Sequence, residues 1–109
     1  MVKKILFVCS GNLDRSPTAE ALLKGKEGFE AKSAGILIGA RRRLSKNLID
    51  WADIIFAMEE IHKTAILGIS PSAKNKVFVL GIPNMYVRND PELVKVLKER
   101  ISQYLDVKW

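Results

Sequence analysis

The chain has 109 residues, of which 48% are hydrophobic and 28% charged, which is typical of one globular domain and excludes a disordered polar tail. A single cysteine and a single histidine exclude an internal disulfide and leave too few ligands for a zinc centre. We therefore expect one domain over residues 1–109 that holds no metal ion.

The formal net charge of +6 favours anionic partners. Only Arg41–Arg43 forms a basic cluster, and we see no nucleic-acid module or interleaved aromatic and basic residues, so we do not expect nucleic-acid binding. We expect the cluster to be a solvated loop or to attract a phosphorylated peptide. No apolar run approaches the roughly 20 residues that cross a bilayer, and the start lacks the features of a signal peptide. We therefore expect a cytoplasmic protein with no membrane partner.

Apolar runs of strand length alternate along the chain with segments that have helical caps or helical periodicity. In chain order they predict a strand at residues 4–9, a helix at 16–26, a strand at 29–34, a helix at 44–51, a strand at 52–58, a helix at 59–67, a loop at 68–75, a strand at 76–80 and a helix at 90–105. The alternation indicates an α/β fold of three layers, in which helices cover both faces of a four-stranded parallel sheet. Ligands bind such sheets at the carboxyl ends of the strands.

The segment after the first strand, residues 9–16, reads CSGNLDRS, and we call it the anion loop. Gly11 and Asn12 tolerate the left-handed backbone of a tight curl, and Ser16 is the predicted N-cap of the next helix. Such a loop can direct successive N–H groups and the positive end of a helix into one hollow. Arg15 adds a planar fork for two phosphate oxygens, and these positive groups favour the thiolate of Cys9. We predict a phosphate site in which Cys9 is the nucleophile.

Residues 7–12 (FVCSGN) and 15–20 (RSPTAE) resemble the low-molecular-weight protein tyrosine phosphatases, and the likeness continues at residues 33–35, 52–58 and 80–92. The resemblance implies a cysteine-dependent phosphomonoester hydrolase, a protein tyrosine phosphatase, with a phosphocysteine intermediate on Cys9 and the phosphoryl group held by Arg15. It implies that Asn12 braces the loop, that the Ser16 hydroxyl stabilises the thiolate and that no cofactor takes part. It assigns phosphate binding to Ser10, Gly11, Asn12, Leu13, Asp14 and Ser16.

The resemblance also implies the partners of the site. The substrate would be a phosphorylated protein or a small aryl phosphate. Inorganic phosphate, vanadate and arsenate would bind as ligands.

The sequence departs from the pattern of that family in three places. An ungapped overlay places Asn84 where the family carries its general-acid aspartate, and an amide cannot protonate a leaving group. Asp14 stands where members often have a second cysteine, and the segment between Gly35 and Trp51 is much shorter than usual.

Two other carboxyl groups are candidates for the missing acid. Asp14 lies in the anion loop itself, and Asp90 is near in sequence, although Asp-Pro-Glu before an apolar helix also predicts an N-cap. Tyr86 resembles the aromatic side chain that flanks the phosphotyrosine ring in the family, and a half-buried anchor is the alternative. We expect His62, which lies among glutamate and lysine residues on a predicted helix, at the surface.

Two other functions stay open at this point. Asn84 is compatible with a phosphate-binding regulatory module that has weak or no turnover. An arsenate reductase-like activity on the same fold would need an external thiol, because the chain has only Cys9.

Overall fold

The computed structural model describes residues 2–109 as a parallel sheet flanked by helices. The strands are β1 (Lys3–Cys9), β2 (Phe29–Gly35), β3 (Ile54–Ala57) and β4 (Val77–Val79), in the spatial order β2-β1-β3-β4. The helices are α1 (Arg15–Leu23), α2 (Lys46–Trp51), α3 (Glu60–Ile69) and α4 (Pro91–Ile101), and a 3-10 helix, Pro71–Lys76, precedes β4. All the strand pairs are parallel, which confirms the predicted α/β class. Across residues 2–109, every helix is too short or too polar to span a bilayer.

The sheet is the middle of three layers because β1 is apolar on both of its faces. Phe7 belongs to a buried cluster that includes Leu97 of α4 and residues of α1. Its neighbour Val8 belongs to a second buried cluster, with Ile49 of α2 and Ile66 of α3. Burial of each such side chain contributes about 1.5–3 kcal/mol. The continuous apolar run at the start of the chain is therefore the central strand of the sheet.

Several boundaries differ from those predicted. α1 ends at Leu23 rather than residue 26, and Gly25, just beyond its end, has a φ of 90° that interrupts helical geometry. α3 continues to Ile69, and the 3-10 helix occupies most of the predicted loop at residues 68–75. β3 begins at Ile54, since Ala52 still caps α2. The last helix ends at residue 101 and not at 105.

The start of α1 also differs from the prediction, whereas the start of α4 does not. α1 begins at Arg15, and Asp14 occupies the N-cap position without a side-chain capping bond. The prediction that Ser16 caps this helix is therefore wrong, and its hydroxyl makes contacts inside the anion loop instead. Asp90 does cap α4, since its Oδ1 accepts the N–H of Glu92 at 2.9 Å.

Gly35, the last residue of β2, lies against the backbone of the anion loop. It pairs with Cys9, so the chain that leaves β1 passes directly over it. A Cβ atom at this position would lie 2.5 Å from the Ser10 carbonyl oxygen and 2.9 Å from the Asn12 nitrogen. Both atoms are backbone and cannot move without changing the loop. The glycine therefore sets how closely β2 and the loop can approach.

We expect Gly35→Ala to displace the anion loop and to lower the free energy of unfolding by about 1–3 kcal/mol, the usual cost of an overpacked site. Gly39→Ala is the matched control, because a Cβ at residue 39 meets no atom within 4 Å. Urea unfolding of both variants measures the difference. Equal stability of the two variants would contradict the close approach described here.

Candidate active site

Cys9 lies at the carboxyl end of β1, at the base of a hollow of about 220 Å³. Its side chain is 3% exposed, and its Sγ is 2.9 Å from the Ser16 Oγ. Either atom can be the donor in this contact, and a serine hydroxyl is able to donate to a thiolate. The residues that line the hollow are Cys9, Ser10, Gly11, Leu13, Asp14, Arg15, Leu37 and Asn84.

The curl of the anion loop depends on Asn12, which is fully buried and has a φ of 56°. Its Nδ2 donates to Ser16 Oγ at 2.8 Å and to Ser33 Oγ at 2.9 Å. Ser33 in turn donates to the carboxylate of Glu20 on α1. These bonds offset the cost of a left-handed backbone at a residue other than glycine, about 1–2 kcal/mol.

The backbone of the anion loop has unsatisfied donors. None of the N–H groups of residues 11–14 donates to an acceptor within residues 2–109. Together with the amino end of α1 they are the donors that an oxyanion needs. Anion binding at these groups, which the sequence predicted, stays a prediction.

Arg41 holds the other side of the loop. Its Nε donates to the Asn12 carbonyl oxygen at 3.1 Å, and its backbone N–H donates to the Gly11 carbonyl oxygen at the same distance. The short connection between β2 and α2 therefore braces the anion loop directly. The sequence alone predicted only a solvated or peptide-attracting basic cluster at this position.

Arg15 is 2% exposed, and its Nη1 makes two hydrogen bonds. Nη1 donates to the Ile82 carbonyl oxygen at 2.7 Å and to the carboxylate of Glu59 at 2.5 Å. The Nε and Nη2 hydrogens have no acceptor among the described residues, so two adjacent donors stay available for an anion. Glu59 thus positions the Arg15 guanidinium and leaves the N–H donors on Nε and Nη2 without a partner among the described residues.

His62 is completely buried, so the prediction of a surface position is wrong. Its Nδ1 accepts the backbone N–H of Glu59 at 2.9 Å, which leaves Nε2 as the donor to Ser10 Oγ at 3.0 Å. Burial lowers the pKa of His62 to about 4; the Arg15 charge adds to the decrease, and Glu59 opposes it. A neutral imidazole therefore links α3 to the anion loop.

Sequence reasoning missed both Glu59 and His62, although two signals identify them. In a capping box, a polar side chain at the N-cap and another at the third helical position each accept a backbone N–H of the other residue. Glu59 at the N-cap of α3 and His62 at the third helical position form such a box. Both also follow the carboxyl end of β3, which lies on the same side of the parallel sheet as Cys9 at the carboxyl end of β1. A candidate search along that edge would have included them.

The structure separates the two candidate acids. Asp14 lines the hollow, and its Oδ1 accepts the backbone N–H of Arg88 at 2.9 Å. Asp90 does not line the hollow, because its carboxylate caps α4. Asn84 lines the hollow from the segment after β4. Of the two candidates, only Asp14 therefore lines the hollow.

Tyr86 and two leucines differ in their position relative to the hollow. Tyr86 is half-buried and packs against the core cluster of α1 and α4, which is the anchor position. It is not among the residues that line the hollow, so the structure does not place it beside a substrate ring. Leu13 and Leu37 line the entrance and are 60% and 54% exposed. Leu37 was not predicted from the sequence.

Comparison with known proteins agrees with this geometry. Residues 4–43 match the family described as low molecular weight phosphotyrosine protein phosphatase. A protein-arginine-phosphatase of Geobacillus stearothermophilus is 40% identical over an alignment of 104 positions including gaps, which covers 73% of this chain and 70% of the relative. The low molecular weight protein-tyrosine-phosphatase Wzb of Salmonella typhi is 34% identical over an alignment of 136 positions including gaps, which covers 94% of this chain and 91% of the relative. The chain belongs to the low-molecular-weight protein tyrosine phosphatase family.

A solved structure extends the likeness to the whole fold. Vibrio vulnificus Wzb in complex with benzylphosphonate superimposes with a TM-score of 0.76 and 26% identity, over 95% of this chain and 97% of that one. The relatives of this low-molecular-weight phosphatase are thus named as tyrosine phosphatases or as an arginine phosphatase. Among residues 2–109, no three His, Cys, Asp or Glu side chains are grouped so that they could hold a metal ion.

The pKa of His62 predicts how stability depends on pH. The unfolded chain binds a proton at this residue near pH 6.5, whereas the folded protein binds it only near pH 4. The free energy of unfolding should therefore fall by about 2–3 kcal/mol as the pH decreases between those values, and this loss is absent above pH 6.5.

Urea unfolding at stepped pH, for the wild type and for His62→Asn, measures this contribution. The variant keeps all the carboxylates that also titrate in this range, so the difference between the two curves isolates His62. The same pH slope in both proteins would show that the histidine binds its proton at an ordinary pH in the folded state.

Proposed function

We propose that this protein is a cysteine-dependent phosphomonoester hydrolase that acts on phosphotyrosine in proteins. One observation carries the proposal: the Sγ of Cys9, bonded to Ser16, lies at the base of a hollow bordered by Arg15 and by unsatisfied backbone N–H groups. A phosphate dianion fits this set of donors, and a thiolate beneath it is oriented for attack. We also propose that it works in the cytoplasm, where a lone cysteine stays reduced.

The proposed reaction has two steps. The Cys9 thiolate attacks phosphorus, an S–P bond forms, and the P–O bond to the leaving phenolate breaks. Water then attacks the phosphocysteine, the S–P bond breaks, and inorganic phosphate and the thiolate are released. In both steps the N–H groups of the anion loop and the free hydrogens of Arg15 bind the equatorial oxygens, where the charge lies. Vanadate and arsenate have the same tetrahedral oxygens, and we propose them as ligands with phosphate.

The entrance of the hollow supports an aromatic substrate. Leu13 and Leu37 expose apolar side chains on its wall, and an aryl ring buries more apolar surface against them than a seryl methylene does. The ring also gives the phosphoryl group the reach to approach a sulfur that is 3% exposed.

We expect the wild type to hydrolyse p-nitrophenyl phosphate and a phosphotyrosine peptide, and Cys9→Ser to lose this activity completely. Phosphate should protect Cys9 from alkylation by iodoacetamide, because both reagents need the same hollow. Tight phosphate binding without turnover would instead support the regulatory module. Hydrolysis that persists in Cys9→Ser would disprove the proposed chemistry.

A protein-arginine phosphatase is the second candidate, and two observations favour it. One relative with this name is 40% identical to the chain. In addition, Asp14 places a carboxylate on the wall of a site for dianions, where it can pair with the guanidinium of a phosphoarginine. A phosphoarginine peptide in the same assay decides between the substrates: preferred hydrolysis of that peptide, lost in Asp14→Asn, would support the arginine phosphatase.

The amide at residue 84 predicts how the rate depends on the leaving group. Without an acid there, poor leaving groups depart slowly, so Asn84→Asp should speed hydrolysis of aryl phosphates with poor leaving groups by about tenfold or more. The same substitution should change the rate of p-nitrophenyl phosphate hydrolysis only slightly, because p-nitrophenolate is a good leaving group. The measurement is kcat for a series of aryl phosphates of rising leaving-group pKa.

Two further variants control this experiment. Asn75→Asp makes the same change at an exposed position of the 3-10 helix that does not line the hollow. Asp14→Asn should steepen the leaving-group dependence only if Asp14 supplies the proton. An unchanged dependence in Asn84→Asp would show that residue 84 does not face the leaving group.

A further inference from the structure

A second cavity lies beside the anion loop, on the outer side of α1. It has a volume of about 240 Å³, and its lining residues are Pro17, Glu20, Ala21, Lys24, Arg41 and Arg88. We propose that this cavity binds acidic residues of the phosphoprotein substrate. The proposal rests on the proposed function, because it concerns the part of the substrate outside the hollow.

The charge of the cavity is strongly positive. Lys24, Arg41 and Arg88 come from three different segments of the chain, and among residues 2–109 none of them forms a salt bridge. The one carboxylate, that of Glu20, already accepts the hydroxyl of Ser33. Three cations without a carboxylate partner attract an acidic ligand and repel a basic one.

The cavity is joined to the anion loop by two hydrogen bonds. Arg41 donates from Nε to the Asn12 carbonyl oxygen at 3.1 Å, and the backbone N–H of Arg88 donates to the Asp14 carboxylate at 2.9 Å. Pro17 is three residues along α1 from Asp14, which corresponds to about 4.5 Å of helix. A polypeptide whose phosphorylated side chain enters the hollow therefore passes its neighbouring residues over the cavity.

The exposure of the cations favours a polypeptide over a small free anion. Lys24, Arg41 and Arg88 are all exposed, and among residues 2–109 the lining of the cavity includes no fully buried polar side chain. Exposed cations pair only weakly with one carboxylate, so several acidic residues on one chain are needed for a measurable effect. An acidic segment next to the phosphorylated residue would provide several carboxylates on one chain.

The experiment compares two phosphopeptides that differ only in flanking Asp and Glu residues, which are replaced by Asn and Gln in the second. At low ionic strength the wild type should have a kcat/KM about three- to tenfold higher for the acidic peptide, mostly through KM. The preference should disappear in about 1 M salt, where the Debye length is roughly 3 Å. Lys24→Glu/Arg88→Glu should abolish or invert the preference, with hydrolysis of p-nitrophenyl phosphate unchanged.

The matched control is Lys74→Glu/Lys95→Glu, which changes the net charge equally at two exposed lysines outside the cavity. It should keep most of the preference. Equal kcat/KM for both peptides in the wild type, or a preference that both double variants lose to the same extent, would overturn the proposal.

A binding measurement separates this proposal from the proposed function. Cys9→Ser is titrated with fluorescein-labelled forms of both peptides, with and without the Lys24→Glu/Arg88→Glu pair. Tighter binding of the acidic peptide that depends on the pair supports the cavity even if no peptide is hydrolysed. Equal binding of the two peptides refutes the cavity, even if the wild type hydrolyses p-nitrophenyl phosphate.

Discussion

The left-handed backbone of Asn12 is the constraint on which the site depends. A φ of 56° turns the anion loop back over the end of β1, and the buried amide keeps it there through Ser16 and Ser33. Because Ser16 also contacts Cys9, the bond from Asn12 that fixes the curl also positions the hydroxyl beside the sulfur. The loop is thus preorganised before an anion arrives, which removes the cost of ordering it on binding.

The carboxyl ends of three parallel strands lie beside this loop, and each strand supplies a different part of the site. β1 delivers Cys9, the end of β2 provides the close approach at Gly35, and the residues after β3 provide Glu59 and His62. Glu59 engages Arg15, and His62 engages Ser10, so α3 restrains both ends of the anion loop. The His62 Nδ1 also accepts the backbone N–H of Glu59. The Arg15 guanidinium and the anion loop are therefore not positioned independently of each other.

Sequence reasoning was most successful where local chemistry decides the structure. The apolar run of β1, the Asp-Pro-Glu cap of α4 and the left-handed turn at Asn12 each contain their own signal, and the structure has these features, although Gly11 beside it is not left-handed. It failed where tertiary packing decides. The polar neighbours of His62 indicated a surface residue, and only the packing of α3 on the anion loop explains its burial. Likewise Ser16 has the sequence of an N-cap, yet its hydroxyl bonds inside the loop.

The short connection between β2 and α2 brings two different features to the anion loop at once. With few residues between Gly35 and α2, the chain has to pass close to the anion loop, and this route brings the backbone and Nε of Arg41 onto Gly11 and Asn12. The same route places Leu37 on the wall of the hollow. This single connection therefore provides an apolar wall on one side of the loop and a charged brace on the other. The brace also orients one of the three cations beside α1, so the shape of the hollow and the charge outside it have a common origin.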